Sequence, residues 1–326
     1  MSDPGSDIVH DLDVVGRFGD PEANGTGEFT GLRVVPVREF AAVDEPSAEP
    51  LLGDDEDTVL AAGGTFALYG DGGAGKTTLE ADLVMHLAAG IPWLGQPVPR
   101  PVRVLVIENE GPRGKFRRKL RAKLDAWQGP PVDERVVVLE EPWSMFSFAE
   151  ETHREALRAL VVEHEIDVVA AGPVQALGMQ GGGTPDEVGA FMFAIEQTRA
   201  QLERPLAVIL VHHENKQGDV SGAWQGRTDT LAHVQAQGNG ATRLYWRKVR
   251  WSSTLHGKLW KLLWRDGESF ELDETPELRM TTWPRPSWPL SASTRARRCG
   301  PSPSTLAEGE RGSGKCATGS SNQARW

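Results

Sequence analysis

The stretch Thr65-Phe66-Ala67-Leu68-Tyr69-Gly70-Asp71-Gly72-Gly73-Ala74-Gly75-Lys76-Thr77-Thr78 constrains this chain more than any other. Gly70, Gly75, Lys76 and Thr77 fill the fixed positions of G-x-x-x-x-G-K-[ST]. The apolar run Phe66 to Tyr69 reads as a buried strand ahead of the loop. The residues after it read as a helix over 76–89, with Leu79, Leu83 and Leu87 at i, i+4 and i+8 and with Gly90 and Pro92 as stop signals. Strand, loop and helix together predict a phosphate cradle formed by Gly70, Asp71, Gly72, Gly73, Ala74, Gly75, Lys76, Thr77 and Thr78. Glycines let backbone N–H groups curl around a polyphosphate without Cβ clashes. Lys76 supplies a point charge to the β- and γ-phosphates, Thr77 a hydroxyl to Mg²⁺, and the helix its positive end. The expected ligand is a nucleoside triphosphate.

The order of elements around that loop predicts the fold class. Apolar runs at 65–69, 103–108, 135–139, 166–171 and 205–211 alternate with amphipathic stretches at 76–89, 113–127, 150–164 and 185–203. Such alternation gives an α/β fold, a mostly parallel sheet with helices on both faces. Runs at 242–249, 258–264 and 269–272 have no helices between them, so they are expected to be antiparallel strands near the C-terminal end. Trp246, Trp251, Trp260 and Trp264 cluster there and suit core packing or a subunit interface better than base stacking.

Charge divides the rest of the chain. Its net charge is −11. Residues 1–57 hold 15 acidic and 3 basic side chains, whereas residues 279–326 hold 2 acidic and 8 basic ones. The expected organisation is an acidic, disordered segment over 1–45, a folded nucleotide-binding domain over 46–278 and an irregular basic tail over 279–326. The middle is mildly acidic, which is no footprint of a protein that coats nucleic acid. No apolar run is long enough to span a bilayer, and the acidic start is no secretory signal. The two cysteines, Cys299 and Cys316, both lie in the tail. A disulfide framework is therefore not expected, and a cytoplasmic setting is.

Hydrolysis needs a group that activates water. Arg103-Val104-Leu105-Val106-Ile107-Glu108-Asn109-Glu110 is a strand ending in two carboxylates, at the edge of a parallel sheet where sites form. Glu110 lies just past the strand, where it can meet a water near a γ-phosphate. Two acids on a solvated loop is the plain alternative.

The sequence of phosphate loop, strand ending in Glu110, apolar strand 166–171, then Val208-Ile209-Leu210-Val211-His212-His213 resembles the RecA-like ATPases. More narrowly it resembles the RepA-type hexameric helicase ATPases, AAA family proteins of the AAA_25 kind, over roughly residues 50–275. The resemblance implies ATP and Mg²⁺ as ligands, Glu110 as catalytic base and His213 as γ-phosphate sensor. It also implies a homo-oligomeric, hexameric ring, no membrane association, and single-stranded DNA as a partner. Lys248 and Arg250 match a Lys-x-Arg pair that reaches the phosphate bound by a neighbouring subunit; basic residues on an exposed strand are the alternative. The family's metal-associated aspartate should end the third core strand, but Gly172 stands there. Asp167 lies five residues back, roughly 16 Å at about 3.3 Å per residue, and cannot replace it. The metal is then left to Thr77, helped by Glu108. Loops at 178–185 and 214–228, with Gln180, Lys216, Trp224 and Arg227, fall where such rings touch nucleic acid.

Two functions follow. One is an ATP-hydrolysing motor acting on DNA, as in replication helicases. The other is a nucleotide-dependent regulatory or DNA-binding module with weak turnover, which Gly172 favours. A small-molecule kinase ranks last, since the sequence shows no acceptor site or lid.

Overall fold

The computed structural model describes residues 33–181, 183–238, 241–265 and 269–273. The expectations placed on residues 1–32 and on the tail after 279, with Cys299 and Cys316, lie outside the described residues.

Nine strands form one sheet. In chain order they are β3 (Thr65–Gly70), β4 (Val104–Glu108), β5 (Val136–Val138), β6 (Val168–Gly172), β7 (Ala207–His213), β8 (Thr230–Gly238), β9 (Ala241–Val249), β10 (Leu259–Arg265) and β11 (Ser269–Leu272). Their spatial order is β11-β10-β9-β8-β3-β7-β6-β4-β5. From β8 across to β5 the neighbours run parallel. β9, β10 and β11 extend the sheet antiparallel. A separate hairpin pairs β1 (Pro50–Gly53) with β2 (Thr58–Ala61). The helices are α1 (Val37–Ala41), α2 (Lys76–Ala89), α3 (Arg113–Ala126), α4 (Glu151–Glu163), α5 (Pro185–Arg199) and α6 (Gly222–Arg227).

The parallel strands are apolar on both faces because both are covered. On one face Phe66, Leu68, Val104, Val106 and Ile209 meet Leu79, Leu83 and Leu87 of α2. On the other, Leu105, Ile107, Val169 and Leu210 meet Leu157 and Val161 of α4 and Val188 and Phe191 of α5. The fold is the expected one: mostly parallel, wrapped by helices, with antiparallel strands at the C-terminal end. Trp246 is fully buried, its ring 5.1 Å from Trp260 and 5.8 Å from Phe66. Trp251 is exposed. α5 starts as its sequence reads. Thr184 caps it, Pro185 opens it, and the Glu187 side chain accepts from the Thr184 N–H at 2.8 Å. Among the described residues no helix is long and apolar enough to cross a membrane.

Three elements escape the sequence reading. β8 is central, between β3 and β9. The β1–β2 hairpin turns on Asp54, whose side chain accepts from the N–H groups of Glu56 and Asp57. The third is α1, entered by a coil over 33–36, which buries none of its residues.

Candidate functional site

The loop after β3 turns at the carboxyl edge of the sheet. Gly75 caps α2 with φ +90°, a left-handed conformation suited to glycine. Gly70 is needed for a different reason. A Cβ there would stand 2.1 Å from the Val234 carbonyl oxygen of β8. Lys76 folds back, its Nζ donating to the carbonyls of Gly70 at 2.8 Å and Asp71 at 2.7 Å. Burial pushes the Lys76 ammonium down, while Glu110, Glu214 and Asp71 pull it up.

Parallel pairing brings the ends of β4 and β7 to this loop. His213 closes β7 beside Gly70 in the register. Its Nδ1 lies 3.5 Å from Lys76 Nζ, and its Nε2 lies 3.5 Å from Glu110 Oε2. One imidazole thus stands between the phosphate-loop lysine and the expected base. His212 points the other way, its Nδ1 3.0 Å from Gln175 Nε2 and its ring 4.8 Å from Trp224. Burial drives the His212 imidazole down to about 4.

Beside the loop opens a cavity of about 230 Å³, lined by Thr77, Glu108, Glu110, Lys115, Phe116 and Lys119 among others. Glu110 is more than half exposed and faces it. Glu108 is nearly buried, and its Oε1 accepts the Glu110 N–H at 2.7 Å. Burial pushes the Glu108 carboxyl up to about 7. Hard oxygen donors such as the Thr77 hydroxyl and the Glu108 carboxylate suit Mg²⁺, which is held by one or two carboxylates together with phosphate.

Several residues here gave no signal in the sequence. Asn109, between the two acids, donates from Nδ2 to the carbonyls of Phe146 at 2.6 Å and Ala176 at 2.8 Å. It anchors the strand end that carries Glu110. Glu80 is buried in α2, one turn beyond Thr77. Glu214, directly after His213, meets His233 at 2.8 Å, and the His233 ring stacks on Tyr69 at 4.3 Å. Arg247 donates to the Tyr69 hydroxyl at 3.0 Å and pairs with Asp219. The segment 214–219 is thereby tied to β8 and β9.

Other expected residues lie elsewhere. Lys248 donates to the carbonyls of Gln225 at 2.6 Å and Thr228 at 2.5 Å. Arg250, just past β9, pairs with Asp229 at 3.2 Å. Both turn to the same side, as residues two apart should, but their partners belong to α6 and the turn ahead of β8 rather than to the phosphate loop. Trp224 is corrected as a stacking candidate. It is fully buried against Phe191 and His212, so no base can reach its face. Lys216, Gln180 and Arg227 are exposed. Asp167 is held by Arg100 and Arg204 at 3.4 Å and 2.6 Å, a structural role at the far end of β6.

A family model described as an AAA domain, AAA_25, matches residues 31–219, more than half of the chain. The match contains the phosphate loop, Glu110 and His213, and stops short of Lys248 and Arg250. No curated protein matches the chain. Among solved structures, the crystal structure of a KaiC-like protein from Pyrococcus horikoshii OT3 is similar to it. The two are 13% identical with a TM-score of 0.48, over 71% of this chain and 99% of that one. With strand, phosphate loop and helix in place at the edge of a mostly parallel sheet, the chain belongs to the AAA_25 family of AAA domains and is a P-loop ATPase.

Proposed function

We propose that the chain is an ATP-hydrolysing motor that forms a ring and acts on single-stranded DNA. The observation that supports this reading most is His213 poised 3.5 Å from both Lys76 and Glu110. In this reading Lys76 and the loop N–H groups from Gly70 to Thr78 hold the triphosphate. Glu110 takes a proton from the attacking water, which fits its exposure to the cavity. His213 touches both, so it can register whether a γ-phosphate is present and pass that to segment 214–219 through Glu214. Thr77 and Glu108 would hold Mg²⁺, which when bound neutralises phosphate charge. Lys248 and Arg250 would serve the neighbouring subunit's nucleotide, after exchanging their present partners for phosphate. A cytoplasmic location and a boundary near residue 278 belong to the same proposal.

A regulatory module with weak turnover is the second reading. It is favoured by Gly172, which brings no carboxylate to the end of β6. Steady-state ATP turnover with and without single-stranded DNA separates the two. A several-fold stimulation is expected for the motor. Tight ATP binding without stimulation would favour the module.

A further inference from the structure

β6 ends in Gly172 and brings no carboxylate to the site. Glu108 on β4 lies directly opposite Gly172 on β6 in the sheet register. Both continue the rows Val104-Val106 and Val168-Ala170, which pack in the core cluster under α2. Side chains alternate along a strand, so both positions face α2. Position 172 itself is closed to any side chain. A Cβ there would meet the Val211 Cβ at 2.7 Å. On α2, Glu80 follows Thr77 by three residues, so the two share one side of the helix. Glu80 is only 6% exposed. Its Oε1 is buried without a hydrogen-bond partner. The Glu108 carboxylate and the Lys119 ammonium both act on it.

An orphaned carboxyl oxygen in the interior is costly to keep. Its place is explained if a positive ligand arrives to meet it. We propose that Glu80 and Glu108 together form the acidic side of the divalent-cation site, in place of an aspartate at 172. This rests on the ATPase reading above and names the chain's own contribution to its metal. The donor set is right for Mg²⁺: two carboxylates, the Thr77 hydroxyl and phosphate oxygens. Among the described residues there is no group of three or more His, Cys, Asp or Glu that could hold a metal. The ion therefore needs the triphosphate to complete its shell, and cation and nucleotide should bind as a unit.

The test is Mn²⁺ binding to the full chain, read by electron paramagnetic resonance with a non-hydrolysable ATP analogue present. Glu80→Gln keeps the shape and removes the charge. It should raise the Mn²⁺ concentration for half-saturation by about tenfold, the lower end of what losing a metal's supporting partner costs. Analogue affinity in the presence of a chelator should not change. An unaltered Mn²⁺ dependence in Glu80→Gln, with the analogue bound, overturns this inference and leaves the ATPase reading intact. A wild-type chain that binds no analogue with or without Mn²⁺ overturns both. Thermal unfolding verifies that the variant is folded. If it is not, Glu80→Asp gives the same readout with a smaller rise expected, and no rise overturns the inference.

Discussion

Gly70 and Gly172 are each crowded by a neighbouring strand. Gly70 lets β8 pass close behind the phosphate loop. Gly70→Ala would press a methyl group against the Val234 carbonyl. Overpacking of this kind costs about 1–3 kcal/mol. The variant should unfold at lower temperature and bind ATP more weakly; unchanged melting and affinity would deny the close approach. Gly172 leaves room for Val211. For the same reason Gly172→Asp should destabilise the protein and fail to raise turnover. Glu80 gives a pH signature in the absence of metal and nucleotide. Burial first, and the Glu108 charge second, push it up to about 8 from 4.5. Between those values the native state holds a proton that the unfolded chain has lost. Its contribution to stability is therefore full below about 4.5 and is lost as pH rises through about 8. Glu80→Gln has no such loss. Its melting temperature relative to wild type should climb from pH 5 to pH 9, as scanning calorimetry would measure. A constant difference would mean that Glu80 titrates normally.

At the scale of elements, α2 is fixed to α3 by a buried pair. Lys123 Nζ lies 2.5 Å from Asp82 Oδ1, and Trp93 Nε1 donates to Asp82 Oδ2 at 3.0 Å. Lys123→Met would leave Asp82 charged and buried. Losing one partner of such a pair costs about 3–5 kcal/mol. Denaturant unfolding should show a loss of that size, and a loss below about 1 kcal/mol would mean Asp82 finds water or another donor. The sequence announces α2 to the residue, because motif, leucine row and Gly90 all agree. It also marks β4, β6 and β7 within a few residues, since buried parallel strands are continuous apolar runs. β8 was not legible. Its polar members His233, Gln235 and Gln237 hide a strand, buried on both faces over its first half, that only β3 and β9 complete. β1 and β2 were masked by the acidic turn between them. At the site, Lys76, Thr77, Glu110 and His213 were legible because each ends or follows a strong element. Asn109 and Glu80 were not. Periodicity assigns a polar residue in an apolar helix to the surface, and only the packing of α2 on β4 and β6 buries it.

For the whole molecule, the nucleotide edge of one subunit and the Lys248–Arg250 corner lie on different parts of the sheet, with β8 between β3 and β9. A ring is the arrangement that would bring such a corner to a neighbour's phosphates. Turnover per subunit should then rise with protein concentration. Arg250→Ala should lower that turnover at least tenfold while sparing ATP affinity, since a trans arginine acts on the transition state. Native mass measurement with ATP would register the assembly directly. Activity independent of concentration, with a monomeric mass, would remove the trans role.

The most direct measurement compares three chains for ATP binding and turnover in Mg²⁺: wild type, Lys76→Ala and Glu110→Gln. Wild type should bind and hydrolyse ATP. Lys76→Ala should lose binding by roughly 10- to 100-fold, the worth of a charged contact of about 1.5–3 kcal/mol. Glu110→Gln should bind as wild type does and turn over at least a hundredfold more slowly, in line with the ~10²–10⁴-fold contribution of a positioned base. Wild-type hydrolysis by Glu110→Gln, or no ATP binding by the wild type, would contradict it.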